Sequence, residues 1–105
     1  MKNHKVAYIV TPRTKSLDDA MQKTTKPSLE ELQKICGGYI QIMSGKMNNQ
    51  KFEIVMNEDG KFTDEPINPL ATDLMNRAWG INIQDGDAPA DVVVGTVVLL
   101  QGWRV

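Results

Sequence analysis

The chain has 105 residues, 41% hydrophobic and 24% charged, which is the size and composition of one ordinary globular domain and not of a disordered segment. Its net charge of −1 divides into a basic stretch, residues 1–27, with six Lys/Arg against Asp18 and Asp19, and an acidic remainder. No basic run exceeds two residues and no aromatics interleave with it, so nucleic acid is not an expected partner and the lysines read as a solvated loop before they read as a phosphate-binding arm.

Met1-Lys2-Asn3-His4-Lys5 leads into a short apolar run that stops at Pro12, too brief for a secretory signal or a membrane span. The single cysteine, Cys36, excludes an internal disulfide and suits a reducing compartment, so the expected location is the cytoplasm. Val6-Ala7-Tyr8-Ile9-Val10 reads as a first strand closed by Thr11-Pro12. Residues 13–27 form a polar connection in which Ser16-Leu17-Asp18-Asp19 can cap one helical turn, with Leu17 and Met21 on one side.

Ser28-Leu29-Glu30-Glu31 is a capping box, Leu29, Leu32, Ile35 and Cys36 follow at helical spacing, and Gly37-Gly38 supplies the stop. Tyr39–Met43 and Lys51–Met56 read as a hairpin joined through a loop from Ser44 to Gln50. Asn57-Glu58-Asp59-Gly60 has turn chemistry at every position, and Lys61-Phe62-Thr63 can return as a short strand. Asn68 and Pro69 start a second helix as N-cap and first residue, with Leu70, Ala71, Leu74, Met75 and Ala78 on its apolar face and Gly80 as its end. Ile81 to Ala90 is a loop. Val92 to Leu100 is apolar on both faces, which places it inside a sheet, and Gly95 marks a bulge or kink. The order β-α-β-β-α-β predicts a single α+β domain, a mainly antiparallel sheet with two helices on one face, and permits a ferredoxin-like path.

Little in the sequence carries catalysis. His4 sits in the terminal stretch and reads as solvated rather than as a base; Cys36 ends an apolar stripe and reads as a small core residue rather than a nucleophile. The Cys/His count rules out a structural zinc site, and neither a P-loop nor a dinucleotide-binding glycine pattern occurs. Asn57-x-Asp59-Gly60 resembles the start of a calcium loop, but Lys61 and Asn68 stand where oxygen ligands belong. Glu58, Asp59, Asp64 and Glu65, with Asp85, Asp87 and Asp91, could hold Mg²⁺ or act as acid and base if their loops met; as turn formers and solvated charges they need no such role. Trp79 reads as core. Trp103, beside Arg104, reads equally as a contact residue or as packing over the sheet edge. No cofactor is expected.

Leu29-Glu30-Glu31-Leu32-Gln33-Lys34-Ile35 with Gly37-Gly38-Tyr39-Ile40, then Val55-Met56-Asn57-Glu58-Asp59-Gly60-Lys61, Asn68-Pro69-Leu70-Ala71-Thr72 and Val94-Gly95-Thr96-Val97-Val98-Leu99, resemble in order a domain-of-unknown-function family common in bacteriophages and mobile elements. These pieces span about two thirds of the chain and leave residues 1–27 unmatched; the family's typical valine before the double glycine is Cys36 here. The resemblance implies a phage-encoded accessory protein without an established reaction. The leading expectation is therefore a non-enzymatic protein that binds a host or phage protein, as a small homo-oligomer. Capture of a nucleotide-like small molecule, through amides at Gly37-Gly38, Asn57, Asn68-Pro69 and Gly95, is the alternative. A carboxylate–Mg²⁺ hydrolase comes last. The candidate contact residues are Gly38, Tyr39, Asn57, Glu58, Asp59, Asn68, Thr72 and Trp103.

Overall fold

The computed structural model describes residues 5–47, 50–59, 65–78 and 92–103. Along the chain run β1 (Val6–Val10), a single 3-10 turn (Leu17–Asp19), β2 (Met21–Lys23), α1 (Leu29–Cys36), β3 (Ile40–Met47), β4 (Gln50–Asn57), α2 (Pro69–Ala78) and β5 (Val97–Gln101). The five strands form one sheet in the order β2-β1-β5-β4-β3, with every neighbouring pair antiparallel. The chain is α+β, as its pattern predicts.

The helices do not share a face. Ala7, Val55, Val98 and Leu100 pack with Leu32 and Cys36 of α1, whereas Val10, Phe52, Ile54, Val97 and Leu99 pack with Ala71, Leu74 and Met75 of α2. Successive strand residues point to opposite faces, so these two clusters lie on opposite sides of one sheet. The cause is visible in β5, where Val97, Val98, Leu99 and Leu100 are all buried. A strand apolar on both sides needs cover on both, and one layer of helices supplies only one. With α1 and α2 on either side and β5 lying between β1 and β4, the ferredoxin-like alternative does not hold either.

Several boundaries also differ from expectation. Ser44 to Gln50 is not a loop: β3 and β4 pair without interruption from Ile40↔Asn57 to Met47↔Gln50, leaving only residues 48 and 49 between them. Gly45 lies opposite Phe52, which is buried. Ser16 does lead a helical turn, and its Oγ donates to Asp19 Oδ2 at 3.2 Å, but the chain then enters β2, so Met21 lies in a strand and is 65% exposed. Val92–Leu100 breaks at Gly95 (φ 73°): Val94 bridges Ile67, and only Val97 onward joins the sheet. Among the described residues no helix is long and apolar enough to cross a membrane. The expectations for Gly60, Lys61–Thr63, Trp79, Gly80 and Ile81–Ala90 lie outside the described residues.

Candidate functional site

Strand directions bring most of the candidate residues to one end of the sheet, where β1 and β4 finish and β3 and β5 begin. On the α1 side, the Ser28 oxygen accepts from the Glu31 amide at 3.1 Å and opens the helix, which is the first half of the capping box, while the Glu31 carboxylate accepts from the Ser28 hydroxyl at 3.5 Å. Gly37 ends it in the left-handed region (φ 87°), and the amides of Gly37 and Gly38 both donate to Gln33 O, at 2.9 and 3.0 Å. Asn57, at the end of β4, closes over this stop. Its Nδ2 donates to Cys36 O at 3.1 Å while its Oδ1 accepts from the Asp59 amide at 2.8 Å, and the Glu58 amide donates to Tyr39 O at 2.8 Å. One asparagine thus joins the helix end to the turn it begins.

What this arrangement presents outward is Tyr39, 73% exposed, with Glu58 and Asp59 exposed beside it. Gly38, Tyr39, Asn57, Glu58 and Asp59 are therefore brought together into one tip. Its chemistry is that of an aromatic ring with carboxylate acceptors on a backbone held by hydrogen bonds.

Asn68 and Thr72 lie across the sheet, under α2. Asn68 is fully buried. Its Nδ2 donates to Val10 O and Gly95 O, each at 2.9 Å; its Oδ1 accepts from the Ala71 amide at 3.1 Å, and its own amide donates to Val93 O at 2.7 Å. The residue is an N-cap and also a clamp joining β1, α2 and the approach to β5. Thr72 accepts from the Val93 amide at 2.9 Å and donates to Val93 O at 3.4 Å. The Gly95 amide donates to Pro66 O at 2.8 Å. The amides of Gly37, Gly38, Asn68 and Gly95, the places suited to an anion, are thus already donating within the chain.

Trp103 stands apart, past the far end of β5, half-buried against the α1-side cluster. A shallow groove of about 420 Å³ also lies toward that end, lined by Gln22, Lys23, Thr24, Thr25, Lys26 and Glu31. Lys23 is paired with Glu31 at 3.4 Å, and both are exposed, so the pair joins β2 to α1 with little energy. Cys36 is buried, its Sγ reaching Val55 O at 3.5 Å, and burial pushes its thiol up from 9.0 to about 11. Among the described residues no three His, Cys, Asp or Glu side chains gather as metal ligands would. His4, Asp64, Asp85, Asp87 and Asp91 lie outside the described residues.

One residue escaped the sequence reading. Asn76 is 2% exposed, and neither its Nδ2 nor its Oδ1 has a hydrogen-bond partner among the described residues. The signal was present, since Asn68, Thr72 and Asn76 recur every fourth residue and so share one stripe of α2.

Searches of curated proteins and of solved structures return no significant match to this chain. A family model does match, over residues 4–103. The match reaches well beyond the block from Ser28 onward and takes in β1, the 3-10 turn and β2, so the polar N-terminal connection is part of the family's domain rather than an addition to it. The chain belongs to the family described as Domain of unknown function (DUF3846).

Proposed function

We propose that the protein is a non-enzymatic accessory protein of a bacteriophage or mobile element, acting in the host cytoplasm by binding a host or phage protein, as a small oligomer. The tip formed by Tyr39, Glu58 and Asp59 is the contact surface. The observation that carries this reading is the contrast at that tip. Asn57 and the double glycine spend their hydrogen bonds on the chain itself, while a nearly free tyrosine ring stands on the rigid support they make. A tyrosine on a backbone already held by hydrogen bonds has only two side-chain torsions left to fix on binding, which is one reason tyrosine anchors interfaces. The flanking carboxylates suit a partner with basic groups around an apolar socket.

The test is a paired capture from host lysate, with and without phage proteins, using the wild type and Tyr39→Ala as baits. The reading expects a stoichiometric protein retained by the wild type and lost from Tyr39→Ala, with equal melting temperatures for the two baits. Equal retention by both baits, or no stoichiometric partner for a stable wild type, refutes it.

A further inference from the structure

The two edges of the sheet are built differently. β2 is three residues long and carries Lys23, the short and charged design that discourages strand addition. β3 is eight residues long, and from Ile40 to Gly45 it holds no charge and no proline. Among the described residues no strand pairs with its outer edge.

The direction of its free backbone groups follows from one bond. The Glu58 amide donates to Tyr39 O directly opposite, so Tyr39 and every second residue after it face β4. The alternate residues, Ile40, Ile42, Ser44 and Lys46, then turn their N–H and C=O outward. These positions are symmetric about Met43. A two-fold axis through Met43 sets Ile42 opposite Ser44 of a second copy and Ile40 opposite Lys46, each pair exchanging two hydrogen bonds, and it keeps the two Lys46 at opposite ends.

Both faces along this edge are suited to such a neighbour. On the α1 side Ile42 is 39% exposed. On the other side α2 packs over β3, and Leu70 and Met43 are half-buried at the flank of the core. The flank bearing Leu70 is turned away from Thr72, which is bonded to Val93. The same flank carries the exposed Asp73–Arg77 ion pair (3.1 Å) three and seven residues on, so a second copy adds Leu70 and a pair of opposite charges to the strand pairing, the mixture of apolar contact and polar rim that protein interfaces show.

We infer that β3 is a homodimer interface: two copies pair antiparallel through β3 about Met43 to make one continuous ten-stranded sheet. The inference rests on the oligomeric part of the proposed function and names its surface.

Sedimentation analysis of the wild type and of two variants tests it. In Ser44→Pro the lost N–H is one that faces outward, so the intrachain ladder keeps its bonds while the edge is blocked. Ile42→Lys places a charge on the exposed edge. The wild type is expected at twice 11.7 kDa, and both variants at 11.7 kDa with unchanged far-ultraviolet circular dichroism. A wild type that stays at 11.7 kDa at millimolar concentration overturns both the interface and the oligomeric part of the proposed function. A dimeric wild type with either variant folded and still dimeric overturns the β3 interface alone.

Discussion

Asn68 offers the sharpest test of how the fold is held, because its two roles can be separated. Replacing it by alanine removes three side-chain hydrogen bonds: Gly95 O and the Ala71 amide lose their partner, and Val10 O, which stays paired with Val97 in the ladder, loses its second, in a site with no solvent exposure. Each orphaned buried group costs about 1–3 kcal/mol, and admission of a water would offset part of that. A loss of about 3–5 kcal/mol is expected, a fifth or more of the roughly 5–15 kcal/mol that stabilises a domain of this size. Asn68→Asp keeps the cap, since aspartate accepts from the Ala71 amide as well as asparagine does. It also turns a carboxylate oxygen toward two carbonyl oxygens that asparagine reaches at 2.9 Å. Urea denaturation at neutral pH should therefore place Asn68→Asp at least as low as Asn68→Ala. The new carboxyl is held above its unfolded pKa, so its penalty is absent below that pKa and grows as pH rises through the folded one; the variant should gain on the wild type in acid. An Asn68→Asp protein within about 0.5 kcal/mol of the wild type at neutral pH would show that capping alone matters and that the clamp does not.

Other outcomes follow from the same geometry. The Cys36 thiol is raised from 9.0 to about 11, so the unfolded chain ionises first. Stability should hold below pH 9, fall by about 1–2 kcal/mol as pH rises toward 11, and level off above it, with the fall absent in Cys36→Ala; pH-dependent urea melts measure it. Gly37→Ala should cost about 1–2 kcal/mol because φ there is 87°, whereas Gly38→Ala should be nearly neutral, its new methyl meeting Asn57 Nδ2 at an ordinary 3.4 Å. Thermal melts of the two variants separate the roles within the double glycine. Asn57→Ala should lose about 1–2 kcal/mol and speed hydrogen exchange at Glu58 and Asp59, since it frees both Cys36 O and the Asp59 amide.

Local chemistry made much of this legible in the sequence. Ser28 with Glu31, Gly37 after Cys36, and Asn68 before Pro69 each satisfy their own neighbourhood, so the helix ends could be read residue by residue. Features that depend on distant partners could not. β2 forms because Ala7 to Ile9 offers it an edge, and nothing in Met21-Gln22-Lys23 announces that. The side of the sheet each helix covers was implicit in the doubly apolar Val97–Leu100, but a count of helices could not assign it. At the tip, the turn residues of Asn57 to Asp59 were plain, while the tie from Asn57 to Cys36 O spans 21 residues and appears only in three dimensions. Tyr39 gained its meaning the same way: the backbone around it is tied by hydrogen bonds, while the residue itself is 73% exposed.

In the proposed function Tyr39 contacts a partner while Asn57 only holds the platform. Calorimetric titration of the captured partner against the wild type, Tyr39→Ala and Asn57→Ala tests it most directly. Tyr39→Ala is expected to weaken binding by about tenfold or more without lowering the melting temperature. Asn57→Ala is expected to lower the melting temperature and, well below it, to weaken binding less than Tyr39→Ala does. Unchanged affinity in Tyr39→Ala would refute the tip as the contact surface and move that surface elsewhere on the molecule.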